Sequence, residues 1–305
     1  MATRQSSTII YPVLGSSWDL WFLRVAGHGL GNCFYTYFHA LVLAEQSGAK
    51  LIAPPWFSLK IGPLLRGSAS KRLYFRMFRA LKHDIDGGAK ILALLRRYRQ
   101  RVIVRVGTIG APVIQPGKLN FVVSDRFTFE GLHAHRNLIR ERLVGIVKDP
   151  IPRDHAWGKG NYLAMHVRMG DFAEATNLNL VKRGEANLRI PLNWYLNLTK
   201  ALRERHPEKP IYLFSDGDEA SLRPLLDQGA SFYRSGSDMT DLLMMSGASI
   251  LVGSNSTYSR WAAFLGNMPS FWLETEVPME KPSDPEVPVT LVPLDADPTA
   301  LGKSP

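Results

Sequence analysis

The stretch Tyr162 to Phe172, YLAMHVRMGDF, decides the fold of this chain. It opens as an apolar run long enough for one buried strand and ends in polar residues, His166, Arg168 and Asp171, that packing does not explain. In open parallel α/β sheets, ligands bind outside the carboxyl ends of the strands. A guanidinium just past such a strand is suited to an anion such as phosphate. The alternative is that Arg168 only pairs with Asp171 and fixes the turn.

Outward from this stretch, the second half of the chain alternates between predicted strands and helices. The sequence predicts strands at 162–167, 211–214, 231–233 and 249–252, and helices at 192–206, 219–228, 240–246 and 259–265, the third capped by Asp238 or Thr240. Such alternation is typical of a mostly parallel sheet with helices on both faces. Two further strands end in polar residues: Ser215 and Asp216, then Ser254, Asn255, Ser256 and Thr257.

In the first half, a predicted strand at 20–26 runs into the glycine turn GHGLGN and an apolar helix. Gly29 and Gly31 permit close backbone approach, and Asn32 could cap the helix, as in a loop that binds phosphate or a sugar. The alternative is a turn that only serves strand-to-helix packing. A dinucleotide-binding unit would carry an acidic residue after the next strand, at 50–54, but Pro54 and Pro55 stand there, which disfavours an NAD site.

Eleven Lys and Arg residues and two Asp residues lie between Lys71 and Arg105, interleaved with apolar side chains. This pattern predicts two basic amphipathic helices broken at Gly87 and Gly88. They could lie on an anionic membrane or bind a polyanionic acceptor, or they could simply expose a solvated basic face. No zinc-finger spacing, RNA-binding aromatic signature or helix-turn-helix indicates nucleic-acid binding.

The composition is that of a globular protein with an anionic partner. The 305 residues are 45% hydrophobic and 21% charged, with a net charge of +10 and a pI near 9.7. The single cysteine, Cys33, fits a reducing compartment, and the sequence has no signal peptide or apolar span. We therefore expect a cytoplasmic protein, at most peripheral to a membrane. We predict domains at 1–150 and 151–290, separated by a Pro-rich linker at 149–160, and a mobile tail at 291–305.

Four segments together resemble a known family: GHGLGN, HVRMGDF, PIYLFSDGDEA and TDLLMMSGASILVGSNSTYSRWAAFLG. Their order and spacing are similar to those of the α-1,2-fucosyltransferases of bacteria and animals (glycosyltransferase family 11-like). The wider inverting group with α-1,6- and protein O-fucosyltransferases is similar more loosely. Two positions depart from the pattern, since Cys33 replaces the usual glutamine and Met169 replaces a second basic residue. Both departures leave the linkage and the acceptor open.

The resemblance implies a GT-B-like fold of two Rossmann-type domains, with an N-terminal acceptor side and a C-terminal donor domain. It implies transfer of fucose from GDP-fucose with inversion, and neither a metal nor another cofactor. The family arginine that contacts the donor diphosphate falls on Arg168, with His166 beside it, and a residue near the fucose falls on Asn32. The S-D element falls on Ser215 and Asp216, and the hydroxyl-rich turn on Ser254–Thr257.

Several chemical roles remain open from sequence. A carboxylate is the expected reader of guanine N–H groups, with Asp216 the first candidate and Asp218 the second. These two also spell D-x-D, a metal clamp in other glycosyltransferases, although turn carboxylates more often cap helices. His28, Asp171 and Glu174 are candidates for the base that takes the acceptor proton. The acceptor would be a glycan, free or lipid-linked, as in surface polysaccharide synthesis. The alternatives are a GT-B enzyme with another nucleotide sugar, a nucleotide-dependent oxidoreductase and a noncatalytic anion-binding protein.

Overall fold

The computed structural model describes residues 7–15, 18–59, 74, 77–152 and 155–296. The chain forms two compact units, Met1–Lys148 and Asp149–Pro305. Within the described residues, each unit contains a parallel sheet, and helices follow the strands. The predicted α/β class with mostly parallel sheets is therefore confirmed. In the same part of the chain, no helix is both long and apolar enough to cross a bilayer.

The first unit is organised around a four-stranded parallel sheet in the order β4-β1-β7-β6. In chain order, its elements are β1 (Ile9–Pro12), β2 (Trp18–Asp19), β3 (Arg24–Val25), α1 (Leu30–Ser47), β4 (Lys50–Leu51), β5 (Ser58–Leu59), α2 (Gly87–Arg97), β6 (Arg101–Val106), β7 (Leu119–Ser124) and α3 (Arg136–Ile146). The strands β2, β3 and β5 form a separate small sheet.

The prediction of one strand over 20–26 is wrong. The segment is instead a hairpin of β2 and β3, because Trp21 and Ala26 adopt positive φ angles of 70° and 58°. Arg24 holds it in place: this fully buried side chain donates to the carbonyls of Pro55 and Leu14 at 2.9 and 3.1 Å. The strand before GHGLGN thus lies outside the four-stranded sheet, unlike the first strand of a dinucleotide-binding unit.

The predicted pair of basic helices is also wrong in its second half. Gly87 and Gly88 begin α2 instead of separating two helices, and residues 101–106 form the edge strand β6. Three of the six residues in β6 are valines and one is isoleucine, which favours a strand over a helix. The first part of this prediction, including Lys71, Arg72 and Arg76, lies outside the described residues.

The second unit contains a six-stranded parallel sheet in the order β10-β9-β8-β11-β12-β13. Its elements are β8 (Gly160–Val167), α4 (Leu178–Lys182), α5 (Leu192–Arg205), β9 (Ile211–Ser215), α6 (Glu219–Asp227), β10 (Ala230–Phe232), α7 (Asp238–Gly247), β11 (Ala248–Val252), α8 (Thr257–Gly266), β12 (Ser270–Leu273) and β13 (Val289–Val292). Both α4 and β12 are absent from the sequence prediction. The cap of α7 is Ser237, whose hydroxyl accepts from the amides of Met239 and Thr240, so neither Asp238 nor Thr240 is the cap.

The first part of the predicted mobile tail is packed. Trp194 donates its indole N–H to the carbonyl of Val292 at 3.2 Å, and Asn197 donates to the carbonyl of Ala296 at 3.2 Å. Lys182 forms an ion pair with Asp295 at 3.2 Å. The remainder, 297–305, lies outside the described residues.

Candidate functional site

The candidate site lies where the strand order of the six-stranded sheet reverses. From β8 the chain adds β9 and β10 on one side and returns to place β11 on the other. The two strands run in parallel register, with Met165 opposite Val252, so both carboxyl ends meet at one edge. Such a switch point leaves a crevice that is the usual ligand site of open α/β sheets. The HVRMGDF and GSNST segments leave the sheet at this crevice.

His166 links the two segments through a buried hydrogen-bond network. Its Nδ1 lies 2.5 Å from the hydroxyl of Ser259 and 2.9 Å from that of Ser254, and the two hydroxyls lie 3.0 Å apart. The amide of Ser254 also donates to the Ser259 hydroxyl at 3.2 Å. These bonds fix the turn after β11 and the first turn of α8 against the end of β8.

The surroundings of His166 keep its imidazole neutral. The side chain is buried, and burial, reinforced by the charge of Arg168, holds its pKa well below the ordinary value, although Asp216 opposes this. A neutral ring can accept at Nδ1 from the hydroxyls around it. Because its Nδ1 is hydrogen-bonded to two hydroxyls and its ring is buried, His166 positions the turn after β11, and a catalytic role for it stays a prediction.

Arg168 is held between two carboxylates at the mouth of the crevice. One terminal nitrogen lies 2.5 Å from Asp171 Oδ1 and the other 2.7 Å from Asp216 Oδ2. Its Nε is buried without a hydrogen-bond partner among the described residues. Its guanidinium carbon also lies 5.4 Å from the centre of the Phe172 ring. The pairing with Asp171, one of the two alternatives from sequence, is therefore present, and anion binding by Arg168 stays a prediction.

Asp216 joins the loop after β9 to the loop after β8. Its Oδ1 accepts from the amide of Met169 at 2.8 Å, while Oδ2 faces Arg168. A Cβ atom built on Gly170 would lie 2.1 Å from Asp216 Oδ2, so any other residue there would displace the carboxylate from its present position. The glycine of the HVRMGD segment thus allows the carboxylate to approach the guanidinium.

Arg189 anchors the loop that follows β8, and sequence reasoning missed it. Its Nε donates to the carbonyls of Met169 and Phe172 at 3.0 and 2.7 Å, and it pairs with Glu174 at 3.3 Å. Glu174, one candidate base, is 86% exposed and belongs to this anchor. No sequence signal marks Arg189, because 20 residues separate it from Met169. Ser259, by contrast, is marked by a sequence signal, because it ends the hydroxyl-rich run SNSTYS.

Two predicted site residues have structural hydrogen bonds. Ser215 donates to the carbonyl of Val167 at 2.6 Å and accepts from the amide of Gly217 at 3.0 Å. Asp218 caps α6 by accepting from the amide of Ser221 at 2.7 Å. The hydrogen bonds of Asp218 lower the pKa of its carboxyl. The two carboxylates of the D-x-D pair therefore make different contacts: Asp216 forms an ion pair with Arg168, and Asp218 caps α6.

The hydroxyl-rich turn forms the N-terminus of α8. Ser256 is the cap and accepts from the amide of Tyr258 at 3.2 Å, Thr257 is the first helical residue, and Asn255 is half-buried in the turn before them. The amides of a first helical turn attract negative charge. This turn is held in place at Ser254 by the His166 network, so its position relative to β8 is fixed.

The glycine turn belongs to the first unit. Gly29 is the N-cap of α1 and makes no side-chain cap bond, so Asn32 does not cap the helix as expected; it lies in the first turn, as does Gly31. The Oδ1 atom of Asn32 is buried without a hydrogen-bond partner in the described part of the chain. His28 packs its ring edge-on against Phe127, with 5.1 Å between centroids.

The first unit also contains a cavity of about 380 Å³ beside the hairpin and the start of α2. Five aromatic residues line it: Trp21, Phe22, Trp56, Phe57 and Phe78. Lys90 lines it too and donates to the carbonyl of Ala53 at 2.7 Å, while burial lowers the pKa of Lys90 to about 8. Among the described residues, no group of three or more His, Cys, Asp or Glu side chains could hold a metal ion.

Comparisons with known proteins gave matches among solved structures alone. No family model matches the chain, and no curated protein matches it. The fucosyltransferase NodZ from Bradyrhizobium is 12% identical with a TM-score of 0.41, covering 86% of this chain and 94% of that one. The NodZ α-1,6-fucosyltransferase soaked with GDP-fucose is 13% identical with a TM-score of 0.38, covering 86% and 93%. POFUT1 in complex with GDP-fucose is 12% identical with a TM-score of 0.40, covering 90% and 99%.

Proposed function

We propose that this protein is an inverting, metal-independent glycosyltransferase of GT-B type that transfers fucose from GDP-fucose to a hydroxyl of a glycan. One observation carries the proposal. The two segments with the most specific fucosyltransferase resemblance, HVRMGD and GSNSTYSRWAA, meet at the switch point of a parallel sheet through the His166 and Ser254 contact of 2.9 Å. A crevice that presents a guanidinium and a helix N-terminus is suited to a nucleoside diphosphate.

The chemistry follows from the charge that develops as the donor reacts. Loss of GDP builds negative charge on the β-phosphate, which positioned donors must stabilise. Arg168 and the amides at the start of α8 supply such donors from two neighbouring strand ends. Asp216 would then leave the guanidinium or share it when the donor binds, and it is our candidate reader of the guanine N–H groups. Asp171, 47% exposed beside Arg168, is our candidate for the base.

The acceptor would contact the first unit. Its aromatic cavity offers flat rings for the apolar face of a sugar, and Arg79, Asp86 and Lys90 supply charged groups in the same lining. A lipid-linked or surface polysaccharide precursor with an α-1,2-linked fucose agrees with the family resemblance. A GT-B enzyme with a different nucleotide sugar would use the same phosphate donors, and it is the closest alternative. The oxidoreductase alternative loses support, because β3 lies outside the parallel sheet and no acidic residue follows β4 at residues 52–57.

Calorimetric titration tests the proposal most directly. GDP, GDP-fucose, GDP-mannose, UDP-glucose and NAD are titrated into wild-type and Arg168→Ala protein, with and without a chelator. We expect binding of GDP and GDP-fucose that survives the chelator and weakens strongly in the variant. Binding of UDP-glucose or NAD in preference to GDP would show that GDP-fucose is not the donor. Loss of binding in the chelator would show that a metal is required. Equal binding by the variant, or no binding of any nucleotide, would refute the proposed donor site.

A further inference from the structure

One face of the first unit carries exposed leucines among arginines, and no acidic residue accompanies them in sequence. From Gly87 to Ser124 the chain has seven Lys and Arg residues and neither Asp nor Glu. The first acidic residue after this stretch, Asp125, pairs with Arg105 at 2.6 Å. Lys90 is buried near Asp19 and Asp86, but Arg96, Arg99 and Arg101 have no ion pair among the described residues, which favours an anionic partner.

Within this stretch, α2 turns an apolar stripe to solvent. Leu94 faces inward and packs with Ile9, Tyr11 and other residues of the core beneath the sheet. Leu92 and Leu95 lie on the opposite side and are 46% and 62% exposed. Arg96 and Arg99 are exposed next to this stripe at helical spacing. The outer face of α2 is thus apolar along its centre and cationic toward its C-terminal end.

The edge strand β6 extends the same surface. Ile103 is paired in register with Phe121 of β7, and neighbouring residues in register point to the same side of a sheet. Phe121 packs against the core cluster that includes Leu94 of α2, so Ile103 lies on the side of the sheet that α2 covers. Ile103 is 57% exposed, and its neighbours along that face, Arg101 and Arg105, are exposed as well.

Tyr98 connects the helix to the strand. The guanidinium carbon of Arg101 lies 3.9 Å from the centre of the Tyr98 ring, and this ring lies 6.1 Å from that of Phe121. Arg101 also donates to the Tyr98 carbonyl at 3.0 Å. We call the surface residues that flank Tyr98 on the helix and the strand, Leu92, Leu95, Arg96, Arg99, Arg101 and Ile103, the basic-apolar face.

We infer that the basic-apolar face binds the surface of an anionic lipid bilayer. Arginines attract anionic headgroups, and exposed leucine and isoleucine side chains between them enter the boundary with the acyl chains. A purely electrostatic partner such as nucleic acid would leave Leu92, Leu95 and Ile103 in water. This inference does not depend on the donor site, because the face belongs to a different unit of the chain.

Vesicle co-sedimentation tests the inference with the full chain. The probes are vesicles of phosphatidylcholine alone and vesicles that contain 30% phosphatidylglycerol, a composition chosen as about that of an acidic bilayer. We expect binding only to the anionic vesicles. Each arginine near such a surface contributes about a factor of five, so Arg96→Ala/Arg99→Ala should weaken partitioning about 25-fold. Leu92→Ser/Leu95→Ser should weaken it at least about 10-fold, because two partly buried leucine side chains are lost.

A matched control removes the same charge elsewhere. Arg183→Ala/Arg223→Ala changes two exposed arginines of the second unit and should leave partitioning within about twofold of wild type, since neither lies on the basic-apolar face. Circular dichroism melts of all variants check that each is folded. Failure to bind anionic vesicles, equal losses in the control, or a leucine variant that binds as well as wild type would overturn the inference. Binding of a DNA or RNA oligonucleotide in place of vesicles would overturn it as well.

Discussion

Arg168→Ala should separate activity from stability. Arg168 is one of few positioned cations at the switch point, and loss of a single donor to a developing oxyanion costs about 100-fold to 1000-fold in turnover, or about 3 to 4 kcal/mol. Its ion pairs with Asp171 and Asp216 are partly exposed, the two carboxylates by 47% and 27%. Pairs at such positions contribute about 0 to 1 kcal/mol each to the free energy of unfolding.

The assay measures GDP release from GDP-fucose with and without a glycan mixture, beside urea unfolding of the same protein. Turnover should fall by at least about 100-fold while the free energy of unfolding changes by less than about 2 kcal/mol. Arg168→Lys retains the charge but cannot contact both carboxylates, so it should recover only a small part of the activity.

Arg189→Ala is the matched control, because Arg189 holds the same loop through the carbonyls of Met169 and Phe172, and neither of these bonds involves Asp216. It should reduce turnover less than Arg168→Ala does, and raise KM more than it lowers kcat. An Arg168→Ala protein with turnover within threefold of wild type would refute the assignment. A loss of stability above about 3 kcal/mol would mean that Arg168 is mainly structural.

Three further predictions concern buried charges. Burial depresses the pKa of His166, so the contribution of its neutral ring to the free energy of unfolding is fully present above about pH 6.5. This contribution is lost as the pH falls, by about 1.4 kcal/mol per pH unit. Urea unfolding at pH 7 and pH 5 should show this slope in wild type and lack it in His166→Asn. Lys90 has a pKa of about 8, so the free energy of unfolding of wild type should rise between pH 8 and pH 10 relative to that of Lys90→Met, which cannot titrate. Unfolding experiments on the two proteins in parallel measure this difference. An equal change of stability with pH in both proteins would contradict the prediction. Arg142→Met should destabilise the first unit by about 3 kcal/mol, because it leaves the carboxylate of Asp84 without its ion pair. This carboxylate lies 2.5 Å from Arg142, and the Asp84 side chain is only 5% exposed. The double variant Asp84→Asn/Arg142→Met should recover part of the lost stability in the same urea unfolding assay.

Much of the second unit was predictable from sequence, because its strands and helices carry strong local signals. The apolar run before His166 is buried as β8, and the alternation with helices determines a parallel sheet whose carboxyl ends share one edge. This predicts that Arg168 and the GSNST turn lie at the same edge of the sheet, whereas the pairing of β8 with β11, which makes them neighbours, is seen only in the structure. β12 was missed because four consecutive buried residues, SFWL, show neither alternation nor helical spacing.

The features that sequence could not supply depend on contacts between distant residues. Arg24 looks like part of an ordinary strand, but its buried guanidinium donates to the carbonyl of Pro55, 31 residues away, and this holds the hairpin in place. The neutral state of His166 follows from burial against Ser254 and Ser259, which lie 88 and 93 residues further along the chain. A motif shows which groups are present, whereas only the folded chain shows which of them are already occupied.

The position of β12 in the chain determines when the turn at Ser254 reaches its final packing during synthesis. β13 pairs with β12, and the Trp272 ring of β12 lies so close to Gly253 that a Cβ built there would be 2.2 Å from it. Gly253 begins the turn that carries Ser254. The turn can therefore reach its final packing only once β12 is present, and β12 remains an open edge until residues 289–292 leave the ribosome. The nucleotide binding that we propose should therefore arise late in translation, after residues 1–148 have emerged from the ribosome.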